Sequence, residues 1–246
     1  PENVFPSYAS GTAFAFAAFL YATVGHAGAS GYLAAMALSG MAPAQMKPIA
    51  LVLNLVVGLI ALIQFARAGY FSWRLFWPFA LGSVPCALIG GSMTVSSSVY
   101  RLLVALCLLA AAVRLMIPVS QTNQRPLQQS AWWIACAWGS VIGLVAGITG
   151  TGGGIFLSPL LLLCRWGESR DSGGVAAAFI LVNSLAGLIG HQPNLADLPA
   201  LLPVWAVVVG VCGACGAWLG SRRIAPLLFR RLLALVLVVA VIKLVS

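Results

Sequence analysis

The sequence predicts an all-α, polytopic membrane protein of two inverted repeats, each with a glycine-broken re-entrant or half-helix region plus three spanning helices. Three observations lead there. Hydrophobic residues make up 61% of the 246 residues and charged ones 7%. Soluble domains carry roughly a quarter charged residues, so this inventory cannot build a water-facing surface. The apolar residues form long runs separated by Gly, Pro and polar breaks, and those runs recur at a fixed offset along the chain.

The first apolar region spans about Ala9 to Ser39 and is interrupted at Gly25-His26-Ala27-Gly28. Further runs cover 48–66, 75–94, 100–117, 130–149, 155–164, 175–190, 199–220 and 232–245. A helix rises 1.5 Å per residue, so runs of about 20 residues cross a hydrocarbon core of about 30 Å. The pieces 31–39 and 155–164 are too short to cross, and each follows a glycine cluster. They are expected as half-helices after a break in the membrane.

A shift of 129 places Asn54-x-x-x-Gly58-Leu59-Ile60 on Asn183-x-x-x-Gly187-Leu188-Ile189. It also pairs Gly91-Ser92 with Gly220-Ser221, and the two glycine breaks align after a four-residue allowance. The whole chain, 1–246, is therefore expected as a single transmembrane transport domain, with repeat 1 at 9–117 and repeat 2 at 130–246. Arginine and lysine collect in cytoplasmic loops. If each broken region returns to the side it entered from, the halves are inverted and the basic residues divide 10:3, with Lys47, Arg101 and Lys243 outside. If each broken region crosses, the halves are parallel and the best division is 8:5. The inverted arrangement is the expected one.

The net charge of +9 comes from basic residues lying between apolar runs. That is the pattern of topology determinants and lipid-headgroup contacts, not of a nucleic-acid surface. The six cysteines lie inside apolar stretches and read as small packing residues; no metal, cofactor or redox site is expected, Cys212-x-x-Cys215 included. No basic n-region precedes the first apolar run, so no signal peptide is expected. The four acidic residues, Glu2, Glu168, Asp171 and Asp197, all fall in expected loops. Without an intramembrane carboxylate, cation transport is disfavoured and an anion is the natural cargo.

The strongest local feature is Gly150-Thr151-Gly152-Gly153-Gly154, ahead of a helix restarting near Ile155. A glycine run in an apolar stretch frees backbone N–H groups that lipid cannot satisfy. The restarted helix adds unpaired donors and about half a positive charge, a ready anion site. The first half offers Gly25, His26 and Gly28, with a restart near Ala29 and Ser30. Close helix packing is the plain alternative for such glycines, and it suits Gly210, Gly216 and Gly220. Asn54 and Asn183, one helix after each break, could donate amide N–H groups to a ligand oxygen, or equally tie helices together. His26 is the one titratable side chain near the breaks; a neutral ring bonded to a carbonyl is its plainer role. Gln64 and Arg67 close the second helix as candidate entry or accessory residues. No catalytic residue is assigned.

With the Gly147–Leu160 stretch, its counterpart Val24–Gly31 and the paired Asn helices in view, the sequence resembles the TauE/SafE family over nearly its whole length. That resemblance implies a bacterial inner-membrane transporter for sulfite, sulfoacetate or related organosulfonates, export being the expected direction. Its partners would be the small anion and membrane lipids, and a homodimer is compatible with the sequence. Two rival readings come from the residues. Gly28-Ala29-Ser30-Gly31 spells the G-x-S-G of rhomboid-like intramembrane proteases, with His191 downstream as a base. An anion channel is the other, although inverted halves suit alternating access better.

Overall fold

The computed structural model describes the chain except residues 1–3, 24, 117–130, 165, 167–168, 193–197, 223–236, 239–240 and 243–246. Among the described residues it has nine α-helices of ten residues or more, and no strand. They are α1 (Val4–Ala22), α2 (Ala29–Leu38), α3 (Pro43–Arg67), α4 (Trp73–Ser92), α5 (Ser97–Met116), α6 (Trp132–Thr149), α7 (Gly154–Leu163), α8 (Ser169–His191) and α9 (Leu202–Arg222). The expected helix at 232–245 lies largely outside the described residues. Five of the nine, α3, α4, α6, α8 and α9, are long and apolar enough to cross a membrane. Large side chains such as Leu81, Leu106, Val141, Val207 and Val211 face outward, where lipid rather than water is the fitting solvent. This is a multi-pass helical membrane protein.

Both breaks form as the glycines dictate. Gly25 adopts φ 78°, and α1 ends in a Schellman cap, with Gly25 N–H bonding the Ala22 carbonyl and His26 N–H that of Tyr21. Gly150 adopts φ 81° and closes α6 with a single bond to the Ala146 carbonyl. The residues just before each half-helix, Gly28 and Gly153, are left-handed as well. Two ten-residue half-helices, α2 and α7, then begin at equivalent points.

Glycine-mediated approaches fix how the helices run. Gly139, Gly143 and Gly147 of α6 lie against the backbones of Phe79, Ser83 and Ala87 of α4, so the two helices are parallel. A methyl group at Gly143 would sit 2.3 Å from the Ser83 carbonyl oxygen. In the same way Gly216 and Gly220 of α9 meet Phe19 and Thr23 at the end of α1. Gly58 of α3 meets Ala177 and Leu181 of α8, whereas Gly187 meets Leu51, so α3 and α8 run antiparallel. Gly210 meets Val56 and Ile60, and the Gln64 amide donates to the Ala214 carbonyl at 2.9 Å, so α9 runs with α3.

It follows that α1, α3 and α9 point one way and α4, α6 and α8 the other. For α1 and α3 to share a direction, the chain must turn back at the first break; α6 and α8 require the same at the second. The C-terminal ends of α3 and α9 then share one end of the bundle with the N-terminal ends of α4 and α6. That end carries Arg67, Arg74 and Arg222, together with Trp73, Trp132, Trp133 and Trp218. Arg222 stacks over the Trp218 ring at 4.7 Å, a pairing suited to a headgroup boundary.

Lys47 departs from expectation. Read as an outer loop residue, it is instead buried inside α3, because that helix starts at Pro43 and carries Pro48 internally. Its ammonium donates to the carbonyls of Gly91 at 2.7 Å and Gly90 at 3.4 Å, near the C-terminus of α4. A cation is favoured there because the last carbonyls of a helix lack partners and carry partial negative charge. Lys47→Ala is expected to destabilise the protein by about 1.5–3 kcal/mol, as loss of a charged hydrogen bond does. Thermal unfolding in detergent checks this, and an unchanged midpoint would show that the contact adds nothing.

Candidate functional site

The second break lies against the α3–α8 crossing. Asn54 on α3 is fully buried, and its Nδ2 donates to the Gly150 carbonyl at 3.2 Å. Its Oδ1 has no partner among the described residues. Gly152 comes next: a methyl group there would lie 2.8 Å from Ile180 Cγ2, 3.0 Å from Ser184 Oγ and 3.2 Å from Asn54 Nδ2. Glycine is thus what lets the break pass between α3 and α8 with a polar side chain on either hand.

Thr151 is held by its own neighbourhood. The Thr149 hydroxyl donates to the Val145 carbonyl at 2.7 Å, so its 3.0 Å contact with the Thr151 hydroxyl has Thr151 as donor. Tyr100 of α5 donates to the Thr149 carbonyl at 3.1 Å. Beyond the break, the first bonds of α7 run from Phe156 and Leu157 to the Gly153 carbonyl. The N–H groups of Gly154 and Ile155 precede these bonds, as at any helix start.

The two breaks meet through His26. Its Nε2 lies 3.1 Å from the Gly154 carbonyl oxygen. A carbonyl only accepts, so the imidazole carries its proton on Nε2 in this contact. Of the residues singled out from sequence, the structure therefore joins Asn54 to Gly150 and Gly152, and His26 to Gly154. Asn183 is 1% exposed and neither its Nδ2 nor its Oδ1 has a partner among the described residues. The two asparagines do not bond each other.

The first break is arranged differently. Ser30 donates to the Tyr21 hydroxyl at 2.6 Å, Tyr32 donates to the Ala27 carbonyl, and Thr23 donates to the Leu20 carbonyl. Gly28 is covered by the Tyr32 ring, and Gly25 packs on the Gly173 backbone. Ser30 and His191 do not pair: His191 ends α8 beside Lys47 and bonds the Gly91 backbone. The protease reading fails at that point, since a nucleophilic serine needs its base within hydrogen-bond reach. Gln64 is engaged with α9, and Arg67 is exposed at the end of α3.

Reading from sequence missed Ser184, Lys47, Tyr21, Tyr32 and Tyr100. The available signal for Ser184 was its place beside Asn183 in an apolar run; for the tyrosines there was none, since aromatic residues are ordinary core.

A family model described as "Sulfite exporter TauE/SafE" matches residues 11–244. The chain belongs to the TauE/SafE family. A relative from Sinorhizobium fredii, "Probable membrane transporter protein y4hK", is 40% identical over 242 residues, covering 94% of this chain and 95% of its own length. No solved structure matches. As a member of the TauE/SafE family with several membrane-crossing helices, the protein is a multi-pass membrane transporter.

Proposed function

We propose that the protein is a secondary transporter, working as an exporter, for a small sulfur-containing anion such as sulfite, sulfoacetate or another organosulfonate in a bacterial inner membrane. The observation that carries this reading is the buried Asn183 carboxamide on α8, unpartnered at both Nδ2 and Oδ1 among the described residues, together with Asn54 Nδ2 on α3 facing Gly152 at the break ahead of α7. A buried polar group left unpaired costs about 1–3 kcal/mol, which a ligand can recover. Backbone donors, a helix start and amide N–H groups all favour negative charge. The matched family model, described as a sulfite exporter, supports the sulfur oxyanion and the outward direction.

Alternating access between inverted halves, 9–117 and 130–246, completes the proposal. It is supported by the antiparallel α3–α8 pair, whose Asn54 and Asn183 are repeat equivalents, and by the turning back of the chain at both breaks. The arginine- and tryptophan-rich end of the bundle would face the cytoplasm.

The test is thermal stabilisation of the purified protein by sulfite, sulfate, sulfoacetate, taurine, acetate and chloride, followed by flux in proteoliposomes. A ligand at about 100 times its Kd adds about 2.7 kcal/mol to folded-state stability. Selective stabilisation by a sulfur anion, with saturable flux, is the expected result. A flat panel would remove the substrate assignment, and currents far above carrier turnover would replace the carrier by a channel.

A further inference from the structure

Resting on that reading, we propose that the anion is held at the second break, that Ser184 donates directly to it, and that the site selects a singly charged sulfonate-type head over a doubly charged one. The polar groups of the first break are already spent within the protein. Ser30 is bonded to Tyr21, Tyr32 to the Ala27 carbonyl, and His26 reaches across to the Gly154 carbonyl. The second break is the opposite case. Ser184 is 0% exposed, its Oγ has no partner among the described residues, and it lies 3.0 Å from where a Gly152 side chain would begin. Asn54 faces the same glycine from α3 through Nδ2, which carries two N–H groups, one of them given to the Gly150 carbonyl.

A hydroxyl can rotate its proton toward whatever oxygen arrives, and a carboxamide N–H and the start of α7 supply further donors. Such a site is a set of hydrogen bonds around roughly half a positive charge, with no lysine or arginine among the described side chains that face Gly152. Among the lysine and arginine side chains that the structure describes, only Lys47 is buried, and its ammonium is engaged by the carbonyls of Gly90 and Gly91. Desolvating a second negative charge without a partner is costly. One negative charge on an oxyanion matches the donors present; two exceed them. Ile180, against both Gly152 and Gly154, offers an apolar surface for the organic group of a sulfonate.

The experiment is thermal-shift titration of the full chain in detergent with ethanesulfonate and with sulfate. Ethanesulfonate is expected to stabilise the parent protein at concentrations where sulfate does not. Ser184→Ala should weaken ethanesulfonate by about tenfold or more, the loss of one hydrogen bond to a charged group. Its unliganded midpoint should hold or rise, because the hydroxyl makes no bond within the protein; a merely structural serine would lower it. Tyr32→Phe, away from the site, should leave ethanesulfonate affinity unchanged. Equal stabilisation by sulfate would overturn the charge selection. Undiminished affinity in Ser184→Ala, with a loss in Asn183→Ala, would overturn the Ser184 contact and leave the transporter reading standing. Failure of the parent to respond to any sulfur anion would sink both.

Discussion

Asn183→Ala is expected to weaken anion binding by about tenfold to a hundredfold while leaving the unliganded protein as stable as the parent. The two halves of this expectation share one cause. The Asn183 carboxamide is buried on α8 and bonds nothing in the protein among the described residues. Removing it therefore breaks no internal hydrogen bond and relieves an unpaired polar group, which offsets the small cavity left behind. A ligand oxygen that the amide had held loses a charge-assisted bond of about 1.5–3 kcal/mol. Asn54→Ala is the informative contrast. Its Nδ2 bonds the Gly150 carbonyl, so stability and affinity should fall together. Thermal titration with sulfite or ethanesulfonate reads both quantities at once. An Asn183→Ala protein that bound as tightly as the parent would remove Asn183 from the site.

The second large effect is structural. Gly143→Val is expected to cost at least about 1–3 kcal/mol, the range for overpacking, and to lower the yield of monodisperse protein sharply. Ordinary overpacking is absorbed by side chains that change rotamer. Here the neighbour is backbone: the added carbon would stand 2.3 Å from the Ser83 carbonyl oxygen and 2.6 Å from its Cα. The only relief is to move α6 away from α4. That shift would loosen the flanking approaches of Gly139 to Phe79 and Gly147 to Ala87 as well. Close backbone approach is what associates helices where lipid is as apolar as leucine. Leu81→Ala, on the outward face of α4, should change the midpoint little. Equal behaviour of the two variants would mean that the glycine seam does not hold α4 to α6.

Much of the architecture was legible because it depends on one-dimensional properties. Run length and hydropathy gave α3, α4, α6, α8 and α9 to within a few residues at most ends, since crossing a bilayer sets a minimum span. The breaks were legible because clustered glycines inside an apolar run, Gly25 with Gly28 and Gly150 with Gly152, Gly153 and Gly154, interrupt a helix that would otherwise continue. The apolar run alone begins at 48, whereas α3 starts five residues earlier, with Pro43 in its first turn and Pro48 inside it. That small slip turned Lys47 from a buried helix cap into a loop charge.

The chemistry of the site was less legible. Asn54 stood out because a carboxamide is rare in a membrane helix, yet which of its atoms remains unpaired depends on where Gly150 lies in space. Ser184 gave a weak signal, since serine is common at helix contacts in membranes. The asymmetry between the breaks was foreshadowed by His26 and Ala27 standing opposite Thr151 and Gly152. Its physical content, a first break sealed by Tyr21 and Tyr32, needed three dimensions.

The pairing of α9 with α1 has a consequence for how the protein is made. The seam formed by Gly216 on Phe19 and Gly220 on Thr23 joins the first helix to one that begins about 180 residues later. At about 5–20 residues per second, the nascent chain would hold α1 without its final neighbour for roughly 10–40 s. During that interval the α1 backbone that α9 will cover must be shielded by lipid or by an insertion factor. Chain termination anywhere before α9 would leave that surface permanently open, marking truncated products for quality control even when every earlier helix has been inserted.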